Sequence, residues 1–280
     1  MIARVKLWIY QLLDRVFVRV DRSYTGKANN IRRIPYLKQR LGGKVSYADW
    51  AYVIGIFQTI LHQQVEAEDV AILDVGCGSG ILGLAAESLI EDGGSYSGID
   101  VDRAQIEFCK AHFDPRNTSF YHIDASNAYY NEQGDQRPIW PVEDAAYDVV
   151  TALSVWTHFN EADARYYLDE VHRVLRPGAK AVLTFFVLDE HYASFEAQGG
   201  VNRRVPTPEG RWLFPKNAYE SAHWKTTEWA DIPEKAIAIP KTVLFQWING
   251  AGFQINQYYP GSWKNYPGIY FQDILILEKA

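Results

Sequence analysis

Residues 70–80 read Val70-Ala71-Ile72-Leu73-Asp74-Val75-Gly76-Cys77-Gly78-Ser79-Gly80. Val70 to Val75 is a short apolar run broken only by Asp74, the pattern of a strand buried on both faces. Three alternate glycines follow, and Ile81-Leu82-Gly83-Leu84-Ala85-Ala86 then opens a helical pattern that stops at Gly93-Gly94. Strand, glycine turn and helix in this order let a ligand lie against bare backbone at a helix N-terminus. A dinucleotide fingerprint, G-x-G-x-x-G, would need its last glycine at position 81, where Ile81 stands.

Working outward, the second strand is Tyr96 to Asp100, with Asp102 as N-cap of a helix through Phe113. Asp100 follows Asp74 at a spacing that places an acid at the carboxyl end of the neighbouring strand, where a carboxylate accepts from both hydroxyls of a ribose diol. Ser119 to Ile123 is the third strand and ends in Asp124-Ala125. The irregular stretch 126–146, with Tyr129, Tyr130 and Trp140, is long enough to wall a site. Tyr147 to Leu153 is the fourth strand, and Ser154-Val155-Trp156-Thr157-His158 follows it. Asn160 caps the next helix, Arg176-Pro177-Gly178 turns it, and Lys180 to Leu188 is the fifth strand. Helix 241–249 and the strands Phe253–Tyr259 and Ile269–Glu278 close the chain, the two strands pairing antiparallel because no crossover fits between them.

These pieces in this order resemble a class I S-adenosylmethionine-dependent methyltransferase. The resemblance is carried by residues 72–80, Gly98-Ile99-Asp100, His122-Ile123-Asp124-Ala125, Tyr147-Asp148-Val149-Val150, Arg173-Val174-Leu175-Arg176-Pro177-Gly178 and the closing hairpin. It spans roughly residues 45–280. Leu153 to His158, Thr184 to Leu188 and the segment 261–279 are similar to a bacterial subgroup with few defined substrates, for which glycans or other natural products are the expected acceptors. The resemblance implies an α/β, Rossmann-like sheet of seven strands whose last strand runs opposite to the rest. It implies S-adenosylmethionine as cofactor and S-adenosylhomocysteine as product. Carried over by position, Gly76, Cys77, Gly78 and Gly80 line the methionine portion, with Asp74 ordering that loop and Ser154 bordering it. Asp100 and Val101 meet the ribose, and Asp124 and Ala125 the adenine.

Transfer from a sulfonium relieves charge, so the protein chiefly aligns the reactants in a dry site. A hydroxyl acceptor gains from a base, and His158 is the histidine that falls beside the reacting group; it equally fits as a packing or capping residue. Residues 189–245 interrupt the rhythm with Tyr192, Trp212, Trp224, Trp229 and five prolines. They read either as a substrate lid or as a satellite core. As a lid they would bring His191, Tyr192, His223 and Trp224 to the acceptor, beside Trp156 of the loop after the fourth strand; His191 and His223 stand next to His158 as candidate bases, with Glu190 and Glu228 behind them. Nothing after the fourth strand has the acidic ligands of a metal-dependent enzyme, so no metal is expected. The expected reaction is O-methylation of a small-molecule or glycan acceptor. N- or S-methylation, ring closure and a non-catalytic cofactor-binding subunit remain open.

The chain has 280 residues, two cysteines and a net charge of −6, spread unevenly. Residues 1–40 hold ten of the 28 Lys and Arg and two of the 34 acids, +8, which leaves −14 on the remainder. An acidic catalytic part without a basic stripe disfavours nucleic acid as partner. Two cysteines fit a reducing compartment, and a cytoplasmic location is expected, peripheral to the inner membrane face if the N-terminus meets lipid. Residues 2–20 set Ile2, Val5, Leu7, Trp8, Ile9, Leu12, Leu13 and Val16 against Arg4, Lys6, Arg15 and Arg19 at helical spacing. Such a helix either packs on the domain or a second subunit, or lies in a membrane interface. The organisation expected is a basic helical extension over 1–42 and one catalytic domain over 43–280.

Overall fold

The structure, a computed structural model, describes residues 2–19, 29–40, 43–65, 69–91, 93–127, 137–202 and 211–280. Tyr129 and Tyr130, expected to wall the site, and part of the joint at 41–43 lie outside the described residues. In chain order the helices are α1 (Ile2–Arg19), α2 (Tyr47–Gln64), α3 (Ile81–Ile90), α4 (Arg103–His112), α5 (Glu161–Val174), α6 (Glu190–Ala197) and α7 (Lys241–Gly250). The strands are β1 (Ala71–Val75), β2 (Ser95–Asp100), β3 (Thr118–His122), β4 (Tyr147–Ala152), β5 (Leu175–Leu188), β6 (Lys216–Asn217), β7 (Lys225–Thr226), β8 (Ile237–Pro240), β9 (Phe253–Tyr259) and β10 (Asp273–Lys279).

Strands β3, β2, β1, β4 and β5 lie side by side and parallel. β10 enters antiparallel against β5, and β9 pairs antiparallel with β10. This is the seven-stranded α/β sheet with one reversed strand that the sequence led us to expect. Its strands alternate between two apolar layers, as a period of two requires. Leu73, Val75, Val150, Leu183, Leu275 and Leu277 face α5 and α7. Ile72, Val149, Val182, Ile274 and Ile276 face α2, α3 and α4.

Local chemistry fixes the helix starts. Ser46 and Asp49 form a reciprocal capping box on α2, each side chain accepting from the other's backbone N–H at 2.9 and 3.0 Å. Asp102 accepts from Ala104 N–H at 2.8 Å, and Asn160 from Asp163 N–H at 3.0 Å.

Three features differ from expectation. β5 starts at Leu175, directly after α5, and absorbs Arg176-Pro177-Gly178 as an irregularity opposite Tyr147–Val149 rather than as a turn. β10 starts at Asp273, because residues 262–271 fold back: Ser262 and Trp263 donate backbone N–H groups to Tyr270 and Phe271. The stretch 189–245 is built into the sheet. β8 pairs parallel with Phe186–Leu188, and β7 and β6 follow it. Phe186, Tyr192, Phe195, Trp212, Phe214 and Trp263 make a third, aromatic core. Beneath it Lys264, fully buried, meets Asp189 at 2.8 Å and Asp273 at 2.7 Å.

Residues 29–40 belong to the body of the fold. Ile34 is fully buried, Arg33 pairs with Glu87 on α3, and Asn30 donates to the Leu84 carbonyl.

Candidate functional site

The carboxyl ends of the parallel strands open on one edge of the sheet, the place where α/β folds of this kind hold ligands. At the end of β1 the chain turns through Gly76–Gly80 in left-handed backbone, with φ 68, 51 and 82 at the three glycines. Gly76 and Cys77 donate their N–H groups to the Ile99 carbonyl, stitching the loop to β2. A Cβ on Gly80 would stand 2.5 Å from the Phe113 ring, and one on Gly76 would stand 2.6 Å from Val155. A Cβ on Gly78 would meet nothing within 4 Å. The loop is thus pinned by its outer glycines and presents bare backbone at the middle one.

Asp100, at the end of β2, accepts from Gly78 N–H at 2.7 Å and Asp102 N–H at 2.8 Å. Burial raises its carboxyl above the ordinary range, and the two N–H groups oppose that. Each oxygen keeps acceptor capacity for a diol. Val101, partly buried, packs on the core and accepts from the His122 ring through its carbonyl. At the end of β3, Asp124 is exposed and Ala125 is buried behind it. Bare backbone at Gly78 and two carboxylates at successive strand ends fit the amino-acid, ribose and adenine parts of S-adenosylmethionine.

Asp74 lies under this loop. Its oxygens accept from Tyr96 Oη at 2.5 Å and Thr151 Oγ1 at 2.8 Å, and burial pushes its carboxyl up to about 7. It ties β1, β2 and β4 together from inside the core. Cys77 is buried too, with its thiol pushed up by the Cys109 thiol and by burial.

After β4, Ser154 holds φ 63, an uncommon conformation for a residue with a side chain. Its backbone N–H donates to Thr184 Oγ1 at 2.7 Å and its Oγ–H to Gln272 Oε1 at 2.8 Å, and its side chain interacts with the Tyr270 hydroxyl, so the conformation is over-determined. Gln272 also reaches Thr157 at 3.4 Å. The 3-10 turn Trp156–His158 then carries the imidazole. His158 Nδ1 lies 2.6 Å from the Glu234 carbonyl, which requires Nδ1 to carry the proton, and its own carbonyl accepts from Asn127. Burial, with the charge of nearby Lys44, lowers this histidine to about 4. Lys44 itself is lowered to about 8 by burial.

The acceptor contacts expected from the sequence need correction. Trp156 has no exposed surface; its Nε1–H donates to the Ala164 carbonyl and its ring packs on Phe159 and Phe185. Trp224 is equally buried, against Trp247. Tyr192 spends its hydroxyl on Phe214 N–H and Glu196 inside the aromatic core. These rings are inward because apolar area removed from water outweighs what a lid would gain by exposing them. His223 is exposed in a groove between α5 and α7 with Arg165, Asp169 and Val243. His191, half-buried, packs with its ring tilted against that of Tyr266, centroids 4.3 Å apart. Its imidazole gathers with Asp189 and Glu190 within 4.8 Å, but Asp189 is already held by Lys264 and Tyr258. Glu228 lines a separate groove with Arg211, Leu213 and Trp229.

Sequence reasoning missed Gln272, Tyr270, Thr184 and Lys44. Gln272 stands 118 residues from the Ser154 hydroxyl it accepts from, and no local pattern links the two.

Residues 72–178 match the family model described as a methyltransferase domain. The chain is 28% identical over 201 residues to the 27-O-demethylrifamycin SV methyltransferase of Amycolatopsis mediterranei, covering 66% of this chain and 68% of that one. It is 28% identical over 124 residues to the ubiquinone biosynthesis O-methyltransferase of Vibrio atlanticus, covering 44% of this chain and 46% of the relative. The chain thus spans about half the length of that relative. Among solved structures, the PH0226 protein of Pyrococcus horikoshii superposes with TM-score 0.52 at 16% identity, covering 83% of this chain and 92% of that one. A putative S-adenosylmethionine-dependent methyltransferase of Listeria monocytogenes gives 0.51 at 16% identity, covering 81% and 99%. At such identities the superpositions speak for the fold.

Proposed function

We propose that this chain, which carries a class I S-adenosylmethionine-dependent methyltransferase domain, methylates a hydroxyl of a small organic acceptor with His158 as base. The observation that carries the reading is the imidazole fixed by the Glu234 carbonyl in the turn that follows Ser154. With the proton on Nδ1, the lone pair is on Nε2, and a group lowered to about 4 stays neutral at physiological pH. The O-methyltransferases among its relatives support the same acceptor atom.

When bound, S-adenosylmethionine supplies an electrophilic methyl group on sulfur. Gly78 backbone, Asp100 and Asp124 would hold it. His158 takes the hydroxyl proton as the acceptor oxygen gains its new bond. A weak base suffices, because that oxygen becomes acidic as the bond forms. The strained Ser154 turn, braced by Gln272 and Thr184, sets where the imidazole stands. The net −14 of residues 41–280 supports a small molecule over nucleic acid. The two free, buried thiols support a reducing compartment.

The test is transfer of isotopically labelled methyl to a panel of phenols, sugars and polyketide alcohols, with the product atom identified by NMR. Label on oxygen, and a loss of roughly a hundredfold in kcat for His158→Gln with S-adenosylhomocysteine binding unchanged, is the expected result. Full activity in His158→Gln, or label on nitrogen or sulfur, overturns it.

A further inference from the structure

We propose that α1 is an interfacial helix that docks this protein on an anionic lipid surface. The hydrogen bonds that tie α1 to the fold come from two of its polar side chains, Asp14 and Tyr10. Asp14, buried, accepts two bonds from buried Arg40 at 2.8 Å and one from Leu37 N–H, and the Tyr10 hydroxyl accepts from Tyr47 N–H. Nine residues, about two and a half turns, separate Val5 from Asp14, so Val5 stands on the opposite side. Around Val5 lie Trp8, Ile9, Leu12, Leu13 and Val16, and all are exposed: Trp8 by 61%, Val16 by 59%, Leu13 by 55%. The usual logic of an amphipathic helix is inverted here, since the apolar arc faces away from the core. A contiguous apolar face of this size on a folded body marks a contact surface.

What covers it follows from charge. Lys6 and Arg15, both exposed, are again nine residues apart and stand on the two borders of the arc. The one acid of α1, Asp14, is turned inward and neutralised by Arg40. A second copy of α1 laid on this face, parallel or antiparallel, would set like charges along both borders with no acid to answer them. Anionic headgroups answer them directly, while the apolar side chains enter the acyl boundary. Among the described residues no helix is long and apolar enough to cross a membrane, so the helix lies in the interface. The attachment point matters: Arg40 follows Gln39, whose carbonyl accepts from Ser79 in the glycine loop. Docking therefore brings the cofactor edge of the sheet toward the lipid.

The full chain, at low and at high salt, is floated with vesicles of phosphatidylcholine alone and of phosphatidylcholine with phosphatidylglycerol. Partition at least about tenfold stronger on the anionic vesicles, reversed by salt, is expected. Ile9→Glu with Leu13→Glu abolishes it while S-adenosylhomocysteine binding and melting temperature stay unchanged, because both side chains are exposed. Absence of partition, or equal partition on both vesicles, overturns the proposal. So does a solution dimer that the same double variant dissolves while wild type ignores lipid. The wild-type comparison of lipids and salt stands whether or not the variant folds.

Discussion

Ser79 donates its hydroxyl hydrogen to the carbonyl of Gln39 at 2.7 Å, so a segment from the N-terminal region rests on the glycine loop. The bond is part-buried and neutral, the kind whose loss costs about 1 kcal/mol. Ser79→Ala is expected to weaken S-adenosylhomocysteine binding several-fold and to raise amide exchange over residues 37–40 more than over β1. Calorimetry and native-state hydrogen exchange check both.

Asp100→Ala removes the diol acceptor and also releases the Gly78 N–H. Cofactor affinity is expected to fall by about 1–3 kcal/mol, read by calorimetric titration with S-adenosylmethionine and S-adenosylhomocysteine. Unchanged affinity would remove the ribose assignment.

Gly78 and Gly80 should respond oppositely to alanine. At Gly80 the new Cβ runs into Phe113, and about 2 kcal/mol or more of stability is expected to go, seen as a melting temperature several degrees lower. Gly78→Ala has open space and costs only its positive φ. It should leave a folded protein whose cofactor binding is impaired beyond its small loss of stability.

His158 and Asp74 should tilt the pH dependence of stability in opposite directions. The histidine is lowered to about 4, so between its unfolded value near 6.5 and that point the unfolded chain binds the extra proton. Stability is lost there as pH falls, by up to about 3 kcal/mol. Asp74 is raised to about 7 from 3.8, so the native state holds a proton that the unfolded chain releases, and stability is lost as pH rises through that window, by up to about 4 kcal/mol. The wild type should look nearly flat where the windows overlap. Relative to it, His158→Gln should expose the downward slope with rising pH and Asp74→Asn the upward one, in urea titrations at pH values from about 4.5 to 7. The methyl-transfer rate of the wild type should not drop as pH falls from about 8 to 5.5, because His158 remains neutral throughout.

Lys264→Met is expected to destabilise by about 3–5 kcal/mol, since it leaves Asp189 and Asp273 buried without their cation. Urea denaturation measures it.

The cofactor half of the site was legible because its signals are local. A strand, a glycine turn and a helix follow one another within 20 residues, and Asp100 and Asp124 end strands whose apolar runs are plain. The acceptor half was not, for two physical reasons. Trp156 was placed by its loop, but a loop position does not say which way a ring turns, and this one turns into the core. Tyr192 and Trp224 show that aromatic density looks the same in a lid and in a satellite core until burial is known. The bracing of Ser154 by Gln272 joins β4 to the segment before β10, a pairing that only the closed sheet creates. At α1 the periodicity was readable, while the direction in which it faces depended on Asp14 meeting Arg40.

β10 is flanked by β5 and β9, and Asp273 pairs with Phe185, 88 positions away in sequence. A synthesised chain therefore carries β5 with one side unfilled until β10 is made, and loop closure over that distance makes the step slow. Throughout that interval α1 is already outside the ribosome with its apolar arc uncovered. Assembly of the sheet and the search of α1 for its resting surface thus run concurrently, and the newborn chain is most exposed to aggregation until the antiparallel strand arrives.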